Sequence, residues 1–113
     1  MGARRFTDLR AWQASDVFKK AIFKLCGLGP LSRDSALRGQ LEGAAMGPPG
    51  HIAEGFGRFN PRDFARFVVM ARSSLMEAQN HLHRAVDKGH ITGKRRIEHD
   101  QLGDRGSTGD RTH

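Results

Sequence analysis

A seven-residue apolar repeat that opens just after the string "NPRD" constrains this chain more than any other feature. Phe64, Val68, Ala71, Leu75, Ala78, Leu82 and Ala85 alternate in steps of four and three, the spacing that keeps one helix face turned toward a partner. Asn60 suits the N-cap, Pro61 the first helical position and Asp63 the first turn, where the helix dipole favours a negative charge. Lys88 and Gly89 form a stop signal. A helix over residues 61–88 extends roughly 42 Å at 1.5 Å per residue. One short partner cannot cover it, so the pattern predicts a bundle.

The residues before this helix supply its partners. Ala11, Ala14, Phe18, Ala21, Ile22 and Leu25 make one apolar stripe, predicting a first helix over residues 7–25 with Thr7 as N-cap and a stop at Gly27, Gly29 and Pro30. Leu9, Trp12 and Phe23 fall on a second flank, which implies two neighbours or a partner subunit. A second helix should begin near Ser32 or Asp34 and bury Leu37, Leu41, Ala44 and Ala45. It then meets "GPPG". Pro48 and Pro49 lack the N–H groups that bond back to residues 44 and 45, and their rings crowd the preceding turn. A break is expected there, followed by a short helical segment over "HIAEGFGRF".

After Ile91 the sizeable apolar residues are Ile97 and Leu102 alone. Such a stretch buries too little surface to offset its ordering entropy, which predicts a disordered polar tail over residues 92–113, with at most a helical turn near residues 95–102. The expected architecture is therefore all-α, an antiparallel up-and-down helical bundle over residues 1–91 with three clear helices and the fourth missing or degenerate.

Composition narrows the function classes. The 113 residues suit one domain, and a net charge of +7 favours solubility and an acidic partner such as nucleic acid or an anionic membrane surface. Fourteen basic and eight acidic side chains precede Thr92, so the excess charge belongs to the folded part. The single cysteine, Cys26, excludes an internal disulfide. No apolar run approaches the roughly 18 residues of a membrane span, and no apolar segment follows the basic start "MGARRFTDL". A cytoplasmic protein with no membrane role is expected.

Chemistry is sparse. Glu77 and His81 share a helix face and His51 precedes Glu54 by three, but neither pair has the further ligands that a closed zinc site requires. "GFGR" lacks the strand and the remaining glycines of a phosphate loop. Ser73, Ser74 and Cys26 have no partner base in a recognisable setting. No catalytic residue, metal site or cofactor is expected. Arg58, Arg62, Arg66 and Arg72 instead place four guanidinium groups within fifteen residues, a candidate phosphate-binding surface. Arg4, Arg5, Lys19, Lys20 and Lys24 form a second basic cluster. The competing expectation is a solvated surface in which Arg58 pairs with Glu54, and others with Asp63 and Glu77.

Three strings carry a family resemblance: "FTDLRAWQA" at residues 6–14, "IAEGFGR" at residues 52–58, and "FARFVVMARSSLMEA" at residues 64–78. Gln40, Leu41, Ala44, Ala45 and Pro49 fall between the first two. Over about residues 6–91 the chain resembles the bacterial four-helix-bundle proteins called intervening-sequence proteins of large-subunit ribosomal RNA. It is similar, more distantly, to the accessory variability proteins of diversity-generating retroelements. The resemblance implies a non-enzymatic protein that forms homo-oligomers, pentameric in the family, and associates with RNA or single-stranded nucleic acid. The alternative is a protein–protein interaction scaffold with no nucleic-acid role. It further implies that Trp12, Pro49, Ile52, Ala53, Glu54, Gly55, Gly57 and Glu77 are structural, with Pro49 bending the second helix against the start of the third and Glu54 meeting Arg58 or Arg72. Glu42, Gly43, Gly47 and His51 depart from the family pattern. A fourth amphipathic helix, usual in the family, is not evident in the tail.

Overall fold

The computed structural model describes residues 2–58 and 60–109, with side chains as far as residue 105. Among the described residues four helices follow a 3-10 turn at Phe6–Asp8: α1 (Arg10–Cys26), α2 (Ser35–Phe56), α3 (Pro61–Asp87) and α4 (Gly93–Gly109). A second 3-10 turn, Gly29–Arg33, links α1 to α2. The short connections make consecutive helices antiparallel neighbours. Each helix packs on two others, α1 on α2 and α4, and α3 on α2 and α4, which closes the ring of a four-helix bundle.

The helix starts follow local chemistry. Asp34 caps α2 by accepting from Leu37 N–H, and Asn60 caps α3 by accepting from Arg62 N–H at 2.8 Å. Lys88 ends α3, and Gly89 then takes a φ of +74°, the left-handed turn that glycine adopts freely. The first helix begins later than its sequence suggests. Thr7 and Asp8 belong to the 3-10 turn, where the Asp8 carboxylate accepts from Arg4 and Arg5 N–H.

Phe18, Ile22, Leu25, Leu31, Leu37, Leu41, Leu75 and Leu82, closed by alanines of α2 and α3, make up the main core. A second cluster joins Ala11, Ile52 and Ala71, with Leu9 and Trp12 packed against it. This accounts for the second flank of α1, since Leu9 and Trp12 meet α2 and α3 while Phe23 stays exposed. Phe6 stands edge-on to Trp12 at 5.4 Å.

Three expectations are corrected. First, α2 is continuous through Pro48 and Pro49. Both prolines lie on the buried face with Leu37, Leu41, Ala44, Ala45, Ile52 and Gly55, so their rings serve as apolar packing surface. Burial against neighbouring helices offsets the roughly 3 kcal/mol that each proline costs in an isolated helix. Secondly, the α3 seam starts at Phe67: Phe67, Ala71, Leu75, Ala78, Leu82 and Ala85 are buried, while Phe64 and Val68 are only partly so.

Thirdly, a fourth helix is present. The three-helix expectation fails because α4 docks without an apolar stripe. A Cβ on Gly103 would lie 2.6 Å from Leu75 Cδ1 and 3.2 Å from the Phe18 ring, so this glycine lets the helix sit directly on α1 and α3. Leu102 packs at the core margin. Gln79 of α3 donates to Asp104 Oδ1 at 2.9 Å and to the Asp100 carbonyl at 3.4 Å, and Arg96 pairs with Asp100 along the helix. Close approach and polar links hold this helix, and neither registers as hydrophobic periodicity. Residues 110–113 of the expected tail lie outside the described residues.

Candidate nucleic-acid interface

The corner where α2 hands over to α3 is built on a glycine contact. A Cβ on Gly55 would stand 2.7 Å from Phe67 Cβ and 3.1 Å from Phe64 Cδ1, so only a bare backbone allows the two helices to meet there. Phe67 is buried by this contact, at 7% exposure. Two guanidinium groups then stack over its ring, Arg58 at 5.2 Å and Arg66 at 5.8 Å from the ring centre, both within cation–π range. His51 lies beside the same ring at 6.5 Å.

Arg62 and Arg66 are one helical turn apart on α3 and both are exposed. Asp63 balances Arg66 at 3.4 Å, in an ion pair open to solvent. Arg62 has no ion pair among the described residues. Arg58, Arg62 and Arg66 thus form one cationic corner, with Phe67 holding two of the three.

Arg72 does not join it. Six residues beyond Arg66, it points about 120° away and roughly 9 Å farther along the helix. Glu54 is also elsewhere: its side chain is 60% exposed and lies 3.4 Å from His51 Nδ1, an ion-pair distance that leaves this nitrogen without a hydrogen bond. Neither the expected Glu54–Arg58 pair nor the Glu54–Arg72 network is formed, because Arg58 turns onto Phe67. Glu77 lies 3.6 Å from His81 Nε2, and His81 Nδ1 accepts from Arg84, which also reaches Gln40 of α2 at 2.7 Å. His81 is therefore a buried histidine with Nδ1 hydrogen-bonded and Nε2 at ion-pair distance from Glu77.

Lys19 and Lys20 both pair with Asp16, at 2.8 and 3.0 Å, and Lys24 is exposed in the last turn of α1. The hydrogen bond from Lys19 lowers the Asp16 pKa, partly opposed by burial, with Lys20 adding to the lowering. These lysines stand apart from the arginine corner. Ala11 of α1 packs in the cluster near that corner, and Lys19 to Lys24 lie about 12–20 Å farther along the axis. Arg4 and Arg5 precede the turn that packs on α1 and α2 beside Trp12, at the arginine end of the bundle.

Of the motif residues, some are packed and others face solvent. Pro49 and Ile52 are buried, Gly55 makes the helix contact, Gly57 caps α2, and Trp12 seals the second cluster. Ala53 is partly buried, and Glu54 and Glu77 are exposed. Burial pushes the Cys26 thiol up to about 12, which leaves it protonated and unreactive at neutral pH. No group of three or more metal-ligating side chains converges among the described residues. No helix among them is long and apolar enough to cross a membrane.

The sequence reading did not single out Phe67 as the platform beneath two arginines. It also missed Lys94 and Arg95, which α4 presents on its first turn. Phe67 falls in step with Ala71, Ala78 and Ala85, a register that alanines mark weakly. Lys94 and Arg95 lie in a segment read as tail.

No curated protein matches the chain significantly. The family model described as the 23S rRNA-intervening sequence protein matches residues 7–104, from the turn before α1 well into α4. That span contains the bundle ring, the arginine corner and the "IAEGFGR" string, and the chain belongs to the 23S rRNA-intervening sequence protein family.

Proposed function

We propose that this is a non-enzymatic, oligomeric helical protein of the cytoplasm that associates with RNA through the basic surface at the α2–α3 corner. The observation that carries the reading is the placement of Arg58 and Arg66 over Phe67 with Arg62 alongside. Stacking on a buried ring limits the motion of two guanidinium groups in advance, so less side-chain entropy is lost when they meet phosphates. The ring itself is covered and offers no face to a base. Phosphate contact rather than base readout follows, and binding should be sequence-tolerant. The family name, which ties its members to 23S rRNA, agrees with a ribonucleic acid ligand.

Fluorescence anisotropy with one labelled RNA across a salt series tests this. Arg62→Ala with Arg66→Ala should flatten the log–log slope of affinity against salt by about 1.5 to 2 units. An unchanged slope removes this surface from binding, and no association even at low salt removes the RNA reading altogether.

A second reading, a protein-interaction scaffold without a nucleic-acid role, draws on a different face. Val69 and Met76 are each 59% exposed on the outer side of α3, and Met70 of α3 and Met46 of α2 are also exposed. Exposed apolar side chains at i and i+7 of one helix face, such as Val69 and Met76, suit protein contact, including self-association. Sedimentation of the wild type against Val69→Glu with Met76→Glu, run beside the RNA titration, distinguishes the two: loss of assembly in the variant with no RNA association of the wild type even at low salt favours the scaffold.

A further inference from the structure

We propose that the cleft between the C-terminal end of α1 and the start of α4 binds a small amphipathic monoanion, an aliphatic chain ending in a carboxylate. The cleft holds about 690 Å³, within the usual range of small-molecule sites. Its wall is aliphatic: Leu25 belongs to the buried core, Ile91 packs against that core, and Leu28 is left 47% exposed beside them. Covering that leucine would remove apolar surface from water. The one aromatic ring in the lining, the His90 imidazole, is tied to Asp34, so a flexible chain fits the aliphatic wall better than a base or other flat ring system.

The mouth of the same cleft is cationic. Lys94 and Arg95 line it, both exposed and without an ion pair among the described residues. Their neighbour Arg96 is already neutralised by Asp100, and His90, also at the cleft, directs Nε2 to Asp34 at 2.9 Å. Two side chains therefore remain to meet an anion. Glu98, one turn beyond Lys94, lines the cleft as well. Its charge opposes a second negative group on the ligand, which favours a monoanion over a phosphate dianion. This end of the bundle is opposite the arginine corner, so the site is independent of the RNA reading.

The test titrates the intact chain with decanoate below its micelle-forming concentration and follows backbone amides by ¹H–¹⁵N NMR. Saturable shifts at Leu28, Ile91, Thr92 and Lys94 are expected. Lys94→Gln with Arg95→Gln, two exposed changes that leave the core intact, should weaken decanoate at least fivefold, and Leu28→Asn should weaken it separately. Decanol, which lacks the charge, should bind at least fivefold less tightly. Absence of saturable shifts at these amides, equal affinity in the charge variant, or tighter binding of adenosine monophosphate than of decanoate overturns the assignment.

Discussion

Gly47 of α2 faces Ser74 of α3 so closely that a Cβ on the glycine would lie 2.4 Å from the serine Cβ. Both atoms hang directly on backbone, so no rotamer change relieves the overlap. Gly47→Ala should force the helices apart and destabilise the protein by about 1–3 kcal/mol. Gly43, one turn earlier, is exposed and has nothing within 4 Å of its would-be Cβ. Gly43→Ala should stabilise by up to about 1 kcal/mol through helix propensity alone. Urea unfolding of the pair measures both, and equal signs would disprove the close α2–α3 packing.

The α3 seam gives a second contrast. Leu82 is fully buried in the main core, whereas Val69 lies on the outer side. Leu82→Ala should cost about 2–5 kcal/mol, and Leu75→Ala, nearly as buried, should fall in the same range. Val69→Ala should stay within about 0.5 kcal/mol. Chemical denaturation that ranked Val69 with Leu82 would rotate the helix relative to this structure.

Asp34 links the start of α2 to the end of α3. Its Oδ2 accepts from Lys88 Nζ at 2.7 Å and lies 2.9 Å from His90 Nε2, while Oδ1 accepts from Leu37 N–H. Lys88 first, then His90 and the Leu37 cap, hold this carboxyl well below the usual carboxylate range. A depressed folded-state pKa contributes stability that is present above the unfolded value near 3.9 and is lost as pH falls through and below it. Asp34→Asn keeps a capping oxygen but removes the charge. The mutant should be less stable at pH 6, and the gap should narrow progressively as pH falls below about 5. Thermal melts across that window check it, and a gap independent of pH would place the Asp34 contribution in the cap alone.

Glu54 and Arg72 make a negative prediction. Glu54 lies beside His51, and Arg72 points to another side of α3. The coupling energy between Glu54→Gln and Arg72→Met should be within about 0.3–0.5 kcal/mol of zero, the additivity expected of separate sites. A double-mutant cycle with coupling near 2 kcal/mol would demand an ionic contact that this arrangement lacks.

Much of the bundle was written locally. Asn60, Pro61 and Gly89 set the limits of α3, Asp34 set the start of α2, and the α1 stripe named Phe18, Ile22 and Leu25 as core. Each depends on neighbours within a turn or two of chain, so sequence spacing alone determined it. The string "IAEGFGR" likewise pointed to the family, and the small residues in it foretold a close helix contact. Three matters were decided by tertiary structure. Pro48 and Pro49 stay helical because their rings are buried, a stabilisation that backbone propensity does not register. Helix α4 forms because Gly103 can lie on Leu75 and Phe18 and because Gln79 reaches across to Asp104, interactions between residues far apart in sequence. Arg58 leaves Glu54 for the face of Phe67, since the Gly55 contact brings that ring within reach only after α2 and α3 have packed.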